Sequence, residues 1–162
     1  MRPNIHAAAI DQDRDELAGF HAARAFLGRQ AGAEKLGLSL WILPPGQAAY
    51  PYHFHLVEEE LLIVLDGRPM LRTPDGTRTL HTGEVVACRA GEQGAHQVFN
   101  DSAEDVRFLS VSTAGQPEIV VYPDEGKIGV NDRAQVPSGH GSINSYFRRG
   151  DAVDYYDGIE PR

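Results

Sequence analysis

The sequence predicts an all-β protein, a closed or nearly closed β sandwich or barrel built from many short strands. Three observations lead there. The chain has 162 residues, the size of one ordinary domain. It carries 17 Gly and 10 Pro, many for that length, and both residue types punctuate turns. Between them lie apolar stretches of strand length at regular spacing, without a sustained helical period. The organisation reads as an N-terminal extension over 1–24, the barrel over 25–122 and a C-terminal tail over 123–162.

Taken in order, Asp13 to Phe20 is expected to form one short helix with Leu17 and Phe20 on one face. From Ala25 the texture changes. Phe26-Leu27-Gly28-Arg29, then Gly32-Ala33-Glu34, then Leu36 to Leu43 read as strand, turn, strand. Pro44-Pro45-Gly46 stops the second strand, because proline cannot donate to a ladder. Tyr52 to His55 and Glu60 to Leu65 follow, the latter ended by Asp66-Gly67. Met70 to Thr73 and Arg78 to Leu80 flank Pro74-Asp75-Gly76, a hairpin turn signal. Val85 to Cys88, His96 to Asn100 and Val106 to Ser112 complete the regular series, and Ile119 to Tyr122 adds one more strand before Pro123. The aromatics of the tail, Tyr146-Phe147 and Tyr155-Tyr156, are expected to pack on the barrel or against a partner subunit.

Charge and composition exclude several classes of function. Fifteen Lys and Arg against 23 Asp and Glu leave a net charge of −8, and no basic stripe suits a nucleic-acid backbone. No stretch approaches the roughly 20 apolar residues of a membrane-spanning helix. The start of the chain lacks the apolar run of a secretory signal, so a cytoplasmic location is expected. Cys88, the single cysteine, builds neither an internal disulfide nor a thiolate metal site and is expected to pack as a small hydrophobe. No Gly-x-Ser-x-Gly elbow and no phosphate-binding loop is present.

The chemistry concentrates in four residues. His53-Phe54-His55 is a His-x-His pair, and residues two apart in a strand face the same side. Glu60 opens the next strand and shares a face with Leu62 and Val64. His96 opens a later strand, with Val98 and Asn100 on its side. Three imidazoles and a carboxylate can bind one divalent first-row metal, Fe, Mn, Ni or Zn, and leave positions open for water or substrate. The absence of thiolates disfavours a structural zinc. Leu62, Val64 and Val98 are expected to ring the ion. Glu58 and Glu59, in the same glutamate run, read as a solvated turn.

The spacing of these residues carries a family resemblance. Gly46, six residues, His53-Phe54-His55, four residues, Glu60, six residues and Gly67 resemble the first motif of the cupin superfamily, G-x5-H-x-H-x3,4-E-x6-G. Gly83, five residues, Arg89-Ala90-Gly91, four residues, His96, three residues and Asn100 resemble the second, G-x5-P-x-G-x2-H-x3-N. One extra residue precedes His53, Arg89 stands where proline is usual, and two extra residues precede His96; all three departures fall in expected loops. The segments flanking the motifs, Leu27-Gly28 to Leu36-Gly37 and Val120 to Asp124, look like those of small stand-alone bacterial cupins, some of which are described as sugar-phosphate isomerases. The resemblance implies a single jelly-roll β-barrel, or double-stranded β-helix, of about eight strands or more, in which His53, His55, Glu60 and His96 are the ligands of one metal per chain.

Lower-ranked candidates for substrate contact are Trp41, Tyr50, Tyr52, Arg72 and Arg107, the arginines because a guanidinium suits a carboxylate or phosphate. No arginine is placed in the pocket by the sequence itself. His81 is expected to be exposed, and His140 to lie in a loop without a role. The reading is a mononuclear metalloenzyme acting on a small polar organic molecule, with dioxygenase, decarboxylase and sugar-phosphate isomerase chemistry all open. The alternative is a noncatalytic, metal-dependent binding or sensor protein. A homodimer is expected, since isologous dimers are the commonest assembly.

Overall fold

The fold turns on one strand whose inner face changes from apolar to polar along its length. In the computed structural model, which describes residues 2–15, 17–114, 117–131 and 144–160, Val106–Thr113 alternates strictly between buried and half-exposed positions. Its inward residues are Val106, Phe108, Ser110 and Ser112. In chain order the elements are β1 (Gln12–Arg14), β2 (Ala22–Ala25), helix α1 (Leu27–Ala31), β3 (Leu36–Leu43), β4 (Phe54–His55), β5 (Glu60–Asp66), β6 (Met70–Thr73) and β7 (Gly76–Thr79). They continue as β8 (Val85–Cys88), β9 (Gln97–Phe99), β10 (Val106–Thr113), β11 (Glu118–Tyr122), β12 (Lys127–Asn131) and β13 (Asn144–Arg148).

These strands make an all-β protein of three antiparallel sheets, ordered β1-β2-β3-β10-β5-β8, β13-β12-β11-β4 and β7-β6-β9. The sheets do not join into one closed hydrogen-bonded cylinder. The extended segment 46–53 links the two smaller ones: Ala49 N–H donates to the Val98 carbonyl, and His53 and His96 exchange backbone hydrogen bonds of 3.1 and 2.8 Å. The core lies between this surface and the six-stranded sheet, with Trp41, Leu43, Leu62, Val64 and Phe108 meeting Leu71, Leu80 and Val98. Helix α1 and the N-terminal segment cover the outer face, where Ala25, Leu27 and Leu40 pack with Ile5 and Leu109.

Cross-strand register sets the gradient along the inner face. Phe108 pairs with Trp41 and Val64, Ser110 with Ser39 and Leu62, and Ser112 with Gly37 and Glu60. Trp41 and Phe108 stack nearly parallel, 6.1 Å between centroids. Two glycines are required by geometry. A Cβ on Gly37 would run into the Ser112 hydroxyl, and Gly67, at φ +79°, would drive one to 2.7 Å from Val106 Cγ1. Gly67 thus ends β5 in a conformation that L side chains avoid.

Several expected elements differ. The described residues of 13–20 hold no helix, and β1 and β2 instead extend the main sheet at its edge. Leu27–Ala31 is a helical turn closed by Gly32 in the left-handed region, where a strand was expected. The tail contributes β12 and β13 to the second sheet. Beyond it, residues 149–160 are exposed, with Tyr155 at 89% and Tyr156 at 75% exposure, and do not pack on the core. His81 is exposed as expected, and His140 lies outside the described residues.

Phe108→Ala removes a ring that is 1% exposed and stacked on Trp41, so it is expected to cost about 3–5 kcal/mol, read as a lowered midpoint in urea unfolding.

Candidate metal centre

The reciprocal backbone bonds between His53 and His96 bring together the beginning of one short strand and that of another. Strand alternation then turns His55 to the same side as His53. Glu60 enters from the first position of β5, opposite Ser112, and the Ser110 hydroxyl donates to its Oε1 at 2.9 Å. The structure brings all four residues together. His53 Nε2 lies 3.1 Å from His55 Nε2, and Glu60 Oε2 lies 3.4 Å from His55 Nε2 and 3.1 Å from His96 Nε2. His53, Glu60 and His96 each offer a ligand atom within 4.8 Å of the others.

The far nitrogen of each ring faces an oxygen. His53 Nδ1 donates to the Pro51 carbonyl at 2.9 Å, and His96 Nδ1 to that of Gly94 at 3.0 Å. His55 Nδ1 sits 3.4 Å from Glu118 Oε1. Such partners fix ring tautomer and orientation, leaving Nε2 as the atom that points inward. His96 Nε2 is buried and, among the described residues, has no aligned hydrogen-bond partner despite its short distance to Glu60. Two imidazole nitrogens 3.1 Å apart also need a proton or a cation between them. Nitrogen and carboxylate donors in this arrangement fit a divalent first-row metal.

The field at the centre favours positive charge. Burial presses His55 towards neutrality, but the Glu118 and Glu60 carboxylates prevail and raise its pKa to about 9. Burial likewise opposes the charge on His96, and contacts with Cys88 and Glu60 lift it to about 10. His53 is depressed to about 3, first by burial and then by its two imidazole neighbours. Burial works against the Glu60 charge, yet the closely approaching His55 and His96 rings hold its pKa well below the usual carboxylate range.

Behind His55 lies a second buried group that the sequence did not signal. Glu58 and Glu118 are both fully buried, and Glu58 N–H donates to Glu118 Oε2 at 3.0 Å. Glu58 is therefore not part of a solvated turn, although Glu59 is exposed. The loop is pinned to β11 by the Leu56 N–H bond to the Ile119 carbonyl, which turns Glu58 inward and leaves Leu56 and Val57 about half exposed. The partner that buries Glu58 comes from a distant strand, so local pattern carries no trace of it.

A cavity of about 340 Å³ opens at the centre, lined by His53, His55 and Glu60. Of the expected substrate contacts, Trp41 and Tyr50 line it. The Tyr50 ring stands edge-on to His53 at 4.8 Å and to His96 at 5.6 Å. Tyr52, Arg72 and Arg107 do not. Arg72 stacks over Tyr52 at 4.0 Å and pairs with Asp124 at 2.6 Å. Arg107 faces the outer surface of the main sheet and donates to the Ile5 carbonyl. Leu62, Val64 and Val98 lie in the core, and the apolar wall of the cavity is Val120. The residues missed by the sequence reading are Arg14, Arg24, Ser110, Tyr122, Asn131, Asn144 and Tyr146. They come from β1, β2, β10, β11, β12 and β13, at positions no motif flags.

Comparison with known proteins now places the chain. A family model described as a cupin domain matches residues 39–112. Those residues are a cupin domain. Solved structures with the same fold include a protein of Acidithiobacillus ferrooxidans provisionally named a sugar phosphate isomerase, 23% identical, with TM-score 0.72 over 84% of this chain and 81% of that one. A sugar phosphate isomerase of the cupin superfamily from Silicibacter pomeroyi is 24% identical, with TM-score 0.71 over 86% and 83%. The polyketide cyclase RemF of Streptomyces resistomycificus is 24% identical, with TM-score 0.56 over 67% and 78%. No curated protein matches the chain.

Within the cupin domain, the asparagine that closes the second motif serves the scaffold. Asn100 donates to the carbonyls of Leu43 and Glu104, and its Oδ1 accepts from Ser102 N–H and Oγ. Asn100→Ala leaves buried partners unpaired, so it is expected to lower stability by about 1–3 kcal/mol in urea unfolding.

Proposed function

We propose that this cupin is a mononuclear metal-dependent enzyme acting on a small polar organic molecule held in the cavity beside Tyr50 and Trp41. One observation carries the reading: three imidazoles, each with its far nitrogen facing an oxygen, turn Nε2 towards one another and towards the Glu60 carboxylate. His53, His55, Glu60 and His96 would hold the ion, and the buried His96 Nε2 without an aligned partner supports a cation there. When bound, the metal supplies Lewis acidity, or an oxygen-reactive centre if it is iron. The chain's own residues do the rest. Ser110 orients the carboxylate, and Glu118 orients His55. Burial, then the nearby Glu60 charge, keeps the Tyr50 hydroxyl protonated, so it can donate to a bound substrate. The chemistry is of the isomerase, decarboxylase or dioxygenase type. We extend the proposal to a jelly-roll arrangement and to a homodimer in which a second copy covers Tyr155 and Tyr156.

A noncatalytic metal-dependent binding protein is the second reading. It is favoured by the lack, among the described residues lining the cavity, of any carboxylate besides Glu60. Glu58 and Glu118, the other buried acids, lie behind His55.

Two measurements test the metal. Protein purified without chelators is expected to contain a divalent transition metal near one per chain by elemental analysis, and the His53→Ala/His55→Ala double variant to lose it while remaining folded. Metal retained by that variant refutes the ligand assignment. Glu118→Gln, which weakens the support behind His55, is expected to lower metal affinity about 10- to 100-fold in a competition titration with a chromogenic chelator.

A further inference from the structure

Arg14 and Arg24 sit on β1 and β2, the outermost two strands at one end of the main sheet, and line the cavity that holds His53, His55 and Glu60. Register puts them there. Arg24 pairs with Trp41 across β2 and β3, and Arg14 pairs with Ala22 across β1 and β2. Both therefore share the inward face with Trp41 and the buried Ala22. The Arg24 guanidinium lies 4.4 Å from the ring centroids of both Trp41 and Phe26, and its Nη2 donates to Ser39 Oγ at 2.9 Å. Two rings and a hydroxyl fix the plane of its donor fork, so less side-chain freedom remains to be lost on binding.

A polar row runs from this guanidinium to the candidate metal centre. Ser39 stands directly opposite Ser110, one cross-strand step of about 5 Å between Cβ atoms, and Ser110 donates to Glu60. Two more donors join from the cavity wall. Trp41 Nε1–H and the Tyr50 hydroxyl are buried atoms with no hydrogen-bond partner among the described residues. Against these donors the described lining holds one carboxylate, Glu60, in a chain with a net charge of −8. Two guanidinium groups and the unpartnered Trp41 and Tyr50 donors thus line one cavity of a chain whose net charge is negative.

We infer that Arg24 and Arg14 clamp the oxyanion end, phosphate or carboxylate, of the small molecule this cavity binds, while the rest of the ligand extends along the serine row towards Glu60. The inference rests on the preceding reading of the cavity as a small-molecule site, and it names the class of ligand as an anion. Planar guanidinium forks bind both oxyanions through paired hydrogen bonds, and Tyr50 and Trp41 add single donors.

The test is calorimetric titration of inorganic phosphate and, separately, malonate into the purified protein and into Arg24→Gln and Arg14→Gln, at millimolar ligand. Metal per chain and melting temperature are measured for every sample. The wild type is expected to bind at least one probe, and the better probe identifies the headgroup. Arg24→Gln is expected to weaken that binding about 10- to 100-fold, with unchanged metal content, and Arg14→Gln to weaken it as well. If Arg24→Gln does not fold, Arg14→Gln decides. Failure of both probes to bind the wild type overturns the clamp, and so does equal affinity in the deciding variant, which would leave the anion on the metal alone. A wild type without metal whose anion binding still depends on Arg24 would keep the clamp and remove the metalloenzyme reading instead.

Discussion

Two backbone hydrogen bonds exchanged by His53 and His96 hold the centre of this molecule together. They join two segments that local sequence leaves far apart, and they do so at the residues whose side chains carry the chemistry. Because the bonds are main-chain, the separation of the two imidazoles follows from ladder geometry rather than from flexible side-chain reach. The 4.7 Å spacing of the rings and the convergence of Nε2 atoms depend on that pairing. So does the link between the two smaller sheets.

Burying three imidazoles and a carboxylate at one point costs several kcal/mol unless their polar atoms are satisfied. The fold meets most of that demand from outside the centre. Carbonyls of Pro51 and Gly94 take two ring protons, Glu118 faces the third ring, and Ser110 takes one oxygen of Glu60. His96 Nε2, which has no aligned partner among the described residues, points inward. The graded face of β10 makes this possible: Phe108 and Val106 anchor the apolar end of the sheet, while Ser110 and Ser112 supply a polar end beside Glu60. Stability and polarity are thereby separated along one strand instead of competing at one position.

The cavity is completed by parts of the chain outside the cupin domain proper. β1 and β2 bring Arg14 and Arg24, and the strands after residue 122 bring Asn131 and Tyr146. The domain supplies His53, His55, Glu60 and His96, whereas the strands outside it supply Arg14, Arg24, Asn131 and Tyr146. This division is consistent with a fold that hosts different chemistries by varying its flanks.

Sequence alone determined the features that obey a fixed period or spacing. The all-β class, most strand positions from Leu36 to Tyr122, and the grouping of His53, His55, Glu60 and His96 follow from alternation and motif intervals, which operate within a few residues. Tertiary structure decided what depends on pairing between distant strands. It placed Arg24 against Trp41, buried Glu58 on Glu118, and turned Arg72 and Arg107 to partners outside the cavity. It also recruited residues 12–14 and 22–25 into the main sheet. None of these leaves a local mark, because whether a side chain faces water or a cavity is set by the strand that lies opposite it.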